Sequence, residues 1–196
     1  MMLVRSLTWL ILASSLLMGQ QKPYKSFGIQ TAPLQIDVYS DFQCPACKNL
    51  HDGVLNQVQN DYVRTGKVYL TYREFPLPMH KYAREAASLA TAAARLNKYE
   101  QVAGALFRQQ ATWSNSGNLE SVIAPAISPA ELQKIKTLAK DPQVQASIEQ
   151  DIALGKQNSL AQTPTLIIMK NMRRFPIGGN VSYDVLKRFL DSLLAQ

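Results

Sequence analysis

Apolar residues in this chain recur in two registers, one every second position and one every third or fourth, and the switches between them mark out its elements. Leu34 to Tyr39 alternates as a strand and leads through Ser40-Asp41-Phe42-Gln43 into a segment whose Leu50, Val54, Val58 and Tyr62 recur every four positions. That spacing predicts one apolar face of a helix running to about Arg64, with Gly66 as its stop. Lys67 to Phe75 predicts a second strand, broken by Pro76 and Pro78. The register then turns helical. Lys81 to Leu96 carries Ala83, Ala86, Ala87, Ala90, Ala93 and Ala94, a narrow face for close helix packing. Tyr99 to Gln110 predicts another helix, ending near Trp113 and the polar loop from Ser114 to Asn118.

Two further helix starts are signalled by capping chemistry. Ser128-Pro129-Ala130-Glu131 reads as a capping box with proline at the first helical position, and Asp141-Pro142 repeats the cap-plus-proline logic. Leu132, Ile135 and Leu138, then Val144, Ile148 and Ile152, supply the buried faces. Sheet returns with Thr165 to Met169, a turn at Lys170-Asn171, and Arg173 to Ile177, ended by Gly178-Gly179. Ser182 caps a last amphipathic helix through Leu186, Phe189, Leu190 and Leu193. No internal repeat or low-complexity run interrupts this order.

The N-terminus follows different rules. Arg5 precedes a mostly apolar stretch, Leu7 to Met18, which is shorter than the roughly 20 helical residues needed to cross a bilayer. It reads as a secretory signal peptide over residues 1–19, with Gly19 a small residue at a plausible cleavage point and Leu17 a poor one, so an uncleaved anchor stays open as the alternative. No cysteine follows the stretch to carry a lipid. A polar segment over residues 20–33 then leads into a single domain over 34–196, large enough to bury a real core. The formal net charge of +7 comes from scattered basic residues, with Arg173-Arg174 the densest pair. That distribution describes a solvated surface and argues against nucleic-acid binding.

Cys44 and Cys47 are the only cysteines among the 196 residues. They stand three apart at the predicted strand-to-helix junction, with Pro45 at the first helical position, where its missing N–H costs nothing. The unpaired N–H groups of the helix start favour a thiolate at Cys44, which makes Cys44 the nucleophile and Cys47, one turn on, the resolving thiol. A zinc site completed by His51 and His80 is the competing reading, and the separation of those histidines by 29 positions argues against it. An inert structural disulfide is also disfavoured, because so short a loop constrains the unfolded chain little. Export would place the pair where disulfides persist. His51, seven after Cys44, reads as a packing or surface residue, and His80 as a contributor to the helix start after Pro78. Tyr72, Phe75 and Phe107 read as core, and Trp113 as a candidate for a substrate surface.

Three motifs in order, Asp41-Phe42-Gln43-Cys44-Pro45-Ala46-Cys47-Lys48, then Tyr72 to Leu77 with His80 and Ala83, then Thr163-Pro164-Thr165 before a strand, resemble the DsbA-like thiol-disulfide oxidoreductases of the thioredoxin superfamily. The resemblance implies an α/β thioredoxin fold with an all-helical insertion over about 78–162. It implies a redox-active Cys44-Cys47 disulfide, a cis bond before Pro164, and a substrate-binding loop at Thr163 and Pro164 beside the disulfide. No cofactor or metal is implied.

The implied activity is the introduction of disulfides into cysteine-containing secreted or periplasmic polypeptides by an exported, periplasmic or extracytoplasmic monomer. A membrane quinone-linked enzyme of the DsbB or VKOR type would reoxidise it, and the membrane would otherwise be met only through the signal peptide or an uncleaved anchor. A reductase or isomerase of extracytoplasmic disulfides is the alternative within enzymes, and a redox-inert peptide-binding or chaperone module the alternative outside them. Two departures from the family pattern bear on strength. Val38 stands six before Cys44, where a buried carboxylate is common, with Asp37 on the opposite strand face. Ala46 lies between the cysteines, where the most oxidising members carry histidine. Val38 removes a group that assists proton transfer, and Ala46, with no side-chain hydrogen bond to offer the Cys44 thiolate, points to a less extreme oxidant.

Overall fold

The computed structural model describes residues 25–196. The expected signal peptide over residues 1–19 lies outside the described residues, as does the beginning of the polar 20–33 segment. Five strands form one sheet: β1 (Ser26–Phe27), β2 (Leu34–Ser40), β3 (Val68–Glu74), β4 (Thr165–Lys170) and β5 (Arg173–Gly178), in spatial order β1-β3-β2-β4-β5. β2 and β3 run parallel from Leu34 opposite Val68 to Ser40 opposite Glu74. A parallel pair needs a crossover, which the cysteine-bearing helix α1 over 45–63 provides. β4 is antiparallel to β2 and β5 to β4.

The insertion between β3 and β4 is all helical, as the sequence predicts: α2 (Ala83–Ala94), α3 (Tyr99–Arg108), α4 (Gln110–Trp113), α5 (Leu119–Ile123), α6 (Pro129–Leu138) and α7 (Pro142–Gln157). The final helix, α8 (Tyr183–Leu194), returns to the sheet. The main core joins β2 and β3 residues such as Leu34, Ile36, Val38 and Leu70 to α1, α2, α3 and α8. A smaller cluster of Tyr39, Phe75 and Ile167 lies on the opposite sheet face, with Ile152 of α7 packed on it. The capping box at Ser128 and Glu131 and the Asp141 cap, with Pro129 and Pro142 just inside, are present as read.

Four local features differ from the sequence reading. First, α1 is α-helical at Pro45–Asn49 and Asn56–Val58 but widens to π-helix at Leu50–Leu55 and Gln59–Val63. Four residues advance an ideal α-helix by about 400°, so a strict period of four would drift off a single face. The wider turns take up that drift and keep Leu50, Val58 and Tyr62 buried. Second, the β4–β5 hairpin turns at Asn171 and Met172, with φ of 47° and 62°, and not at Lys170, which pairs with Arg173. A two-residue turn with both φ positive matches the strand twist. Third, the helix beginning at Tyr99 breaks at Gln109, so Gln110 starts a separate short helix, and α5 follows the Ser114–Asn118 loop in a stretch with no predicted element, capped by Asn118 Oδ1 on the Ser121 N–H at 3.4 Å. Fourth, the 20–33 segment supplies β1, antiparallel to β3, and Lys25, whose buried ammonium reaches Asp151 of α7 at 2.5 Å and Glu74 at 3.6 Å.

Candidate active site

Strand β2 delivers Ser40-Asp41-Phe42-Gln43 to the head of α1, where Cys44 is the N-cap with extended backbone (φ −77°, ψ 119°) and Pro45 is the first helical residue. No side chain caps this start, so its N–H groups are free for the sulfur. Both cysteines are reduced. The Cys44 thiol is drawn down to about 5, first by hydrogen bonding from the Cys47 thiol, against the opposing effect of burial, and then by the Cys47 N–H, the Thr163 hydroxyl and the Ala46 N–H. When protonated, Cys44 Sγ donates to the Thr163 carbonyl at 3.4 Å. Thr163 Oγ1 is buried with no geometrically satisfied partner among the described residues, which leaves its proton for a thiolate.

Cys47 is placed oppositely. Its side chain is 1 % exposed, and burial above all pushes its thiol far up, reinforced by its donation to Cys44. Its Sγ accepts the Asp41 N–H at 3.4 Å. The Thr163–Pro164 peptide bond is cis. The loop containing it is tied to the sheet by the Gly179 N–H donating to the Pro164 carbonyl at 2.8 Å and by Thr165 Oγ1 donating to the Gln162 carbonyl at 2.9 Å.

The loop before Cys44 is held by residues outside the sequence-read site. The Asp41 carboxylate, fully buried, accepts the Gln43 N–H at 2.7 Å and the Leu77 N–H at 2.7 Å, and lies 2.8 Å from His80 Nδ1. His80 therefore does more than begin a helix: it fastens the segment after β3 to the cysteine loop. Gln43 Nε2 donates to the Ser114 carbonyl at 3.0 Å, and Gln43 Oε1 accepts the Tyr82 N–H. Gln110, buried, donates from Nε2 to the carbonyls of Phe42 at 2.6 Å and Cys44 at 3.1 Å. Asp41 and Gln43 stand in the cysteine motif and were visible there without a role. The signal that could have found Gln110 is its spacing: it is a polar residue on the helical face otherwise made by Tyr99, Val102, Leu106 and Trp113.

His51 packs as expected, its ring 4.7 Å from Phe107 and Phe107 4.7 Å from Phe42, with Nδ1 3.0 Å from Asp52 Oδ1. Burial lowers its pKa. The two histidines are thus held by different aspartates and do not converge on the cysteines. Trp113 does not form a substrate surface: it is fully buried, with Nε1 donating to the Leu106 carbonyl at 2.8 Å, because it falls on the same helical face as the buried Tyr99, Val102 and Leu106. Tyr72, Phe75 and Phe107 are buried. Val38 is buried beside Tyr72 in register, and Asp37 lies 3.3 Å from Arg73 Nε, away from the cysteines.

A thioredoxin family model matches residues 21–192. The chain is 20 % identical over 176 residues to a probable disulfide bond formation protein D of Bacillus cereus, covering 87 % of this chain and 78 % of that protein. Among solved structures it is similar to α-DsbA1 of Wolbachia pipientis (TM-score 0.73, 22 % identity, 86 % of this chain and 89 % of that one). It is likewise similar to DsbA2 of Pseudomonas aeruginosa (TM-score 0.71, 26 % identity, 89 % and 96 %). The chain belongs to the thioredoxin family. Within it the protein is DsbA-like, a thiol-disulfide oxidoreductase with a thioredoxin fold and a helical insertion.

Proposed function

We propose that this protein is an exported oxidase that donates a Cys44–Cys47 disulfide to cysteine-containing secreted polypeptides. The observation that carries this reading is the contrast between its two thiols: Cys44 at the bare start of α1 with a pKa drawn down to about 5, and Cys47 buried beneath it with a raised one. A dithiol whose reduced form is stabilised as a thiolate has a correspondingly oxidising disulfide. Electrons then flow from client to protein, which favours oxidase over reductase or isomerase. Ala46 adds no side-chain donor to that thiolate, so the potential should fall short of the family's extreme.

In the forward reaction a client thiolate attacks Cys44 Sγ, the Cys44–Cys47 bond breaks, and Cys47 leaves and takes up a proton, as its raised pKa requires. A second client thiolate attacks the client sulfur of the mixed disulfide and expels Cys44 as a thiolate, a good leaving group because its pKa is low. Two electrons and one disulfide have changed places. Thr163 and Pro164, forming the wall beside Cys44, are the loop along which an extended client would lie. The reduced protein needs a two-electron acceptor, and a membrane quinone-linked enzyme of the DsbB or VKOR type fits the family resemblance. Export by the 1–19 leader and action as a monomer complete the reading.

The test is direct. Alkylation rate against pH should follow Cys44 with a pKa near 5; Cys47→Ala, whose lone Cys44 thiolate attacks a client disulfide and expels one client thiolate, should accumulate mixed disulfides with a client added in its disulfide form, and Cys44→Ala should accumulate few. The equilibrium constant against glutathione should place the protein on the oxidising side of that buffer. Faster alkylation of Cys47 near neutral pH would reverse the assigned roles. A potential below that of glutathione would instead mark a reductase.

A further inference from the structure

We infer that Gln110, a residue of the helical insertion, is a positioning residue that sets the acidity of Cys44; this rests on the assignment of Cys44 as the reactive thiol. Gln110 opens α4 immediately after the helix break at Gln109, on the helical face that Tyr99, Val102 and Leu106 bury, and it is 6 % exposed. Its two amide hydrogens have separate acceptors, the Phe42 carbonyl at 2.6 Å and the Cys44 carbonyl at 3.1 Å. These two carbonyls flank Gln43, in the turn that presents Cys44 Sγ. The Cys44 carbonyl also accepts the first helical bond of α1, from the Lys48 N–H at 3.2 Å.

Each carbonyl oxygen is a partial negative charge close in sequence to the sulfur, in a buried region where such charges are weakly screened. Left alone, both would oppose a thiolate. The Gln110 amide places partial positive charge against both, and at the same time fixes the turn so that the N–H groups of Ala46 and Cys47 face the sulfur. The bond from Gln43 Nε2 to the Ser114 carbonyl, and from Ser114 Oγ to the Gln110 carbonyl at 2.5 Å, locks α4 to the same turn. The insertion thus supplies electrostatics to the cysteine pair as well as covering it.

Gln110→Met keeps the volume and removes both donors. The Cys44 pKa, read from thiolate absorbance or alkylation rate against pH, should rise by about half to one unit, about a three- to tenfold loss of thiolate in acid. The equilibrium with glutathione should move by a similar factor toward the protein disulfide, meaning a weaker oxidant. An unchanged pKa and equilibrium constant in a folded Gln110→Met protein overturn the inference, even with a lowered Tm, since a purely structural residue moves only the latter. Should that variant not fold, the wild-type protein decides: the NMR shifts of the Gln110 side-chain amide should titrate with the Cys44 thiolate, and static shifts overturn it. Failure of the parent reading is seen separately, in wild-type protein whose Cys44 lacks a depressed pKa.

Discussion

Cys44 and Cys47 are the same chemical group three residues apart, and their environments separate them by position alone. Cys44 sits at the helix start with donors around its sulfur, while Cys47 is one turn inside, where burial dominates. The consequence for stability has a definite sign. The folded pKa of Cys44, about 5, lies below its ordinary value of 9.0, so folding favours the thiolate; that contribution is full above pH 9 and is lost as pH falls through 5. Reduced protein should therefore gain Tm relative to oxidised protein as pH rises from 5 to 9, measured on both forms by calorimetry or circular dichroism. The oxidised form has no Cys44 proton to release and should lack this component. A constant difference between the two forms across that range would mean that Cys44 titrates as an ordinary thiol.

At the scale of elements, α7 shows how packing overrides helix propensity. Gly155 lies in its last turns, where glycine costs a helix about 1 kcal/mol against alanine. The residue is tolerated because a Cβ there would lie 2.5 Å from Cε2 of Phe75, whose ring meets Tyr39 edge-on at 6.2 Å. Gly155→Ala should lower the urea midpoint despite the better propensity, because overpacking costs about 1–3 kcal/mol and outweighs the gain. The period-four face of α1 teaches the converse. The spacing of Leu50, Val54, Val58 and Tyr62 already exceeds the α repeat, and the π turns are what that spacing required.

For the whole molecule, the buried pair of Lys25 and Asp151 joins the edge of the sheet at β1 to the insertion at α7. Arg73 at 3.2 Å adds a second cation to Asp151, and Glu74, 3.6 Å from Lys25, has its pKa raised to about 7, chiefly by burial. Removing one member of such a cluster strands the others away from water. Lys25→Met should cost about 3 kcal/mol in a chemical denaturation experiment, and adding Asp151→Leu should recover most of it, since a matched apolar pair avoids the desolvation cost. A loss below about 1 kcal/mol for the single variant would mean that Arg73 alone compensates Asp151.

The cysteine pair, its place at a strand-to-helix junction, the capped helices and the helical insertion were legible in the sequence because each rests on local chemistry: spacing, caps, proline positions and periodicity. The family motifs likewise singled out the Thr163-Pro164 loop. What only the tertiary structure decided depends on contacts between distant segments. β1 is two residues long and Lys25 reads as an ordinary surface lysine until Asp151, 126 positions away, is brought to it. Gln110 falls on the same helical face as Tyr99, Val102 and Leu106, but its acceptors, the carbonyls of Phe42 and Cys44, lie 68 and 66 positions away and are met only in the folded chain. The clamp of Asp41, His80, Gln43 and Gln110 on the cysteine turn belongs to the same kind: its residues are polar, scattered along the chain and joined by hydrogen bonds, which leave no repeat in a sequence and exist only once the insertion has docked on the sheet.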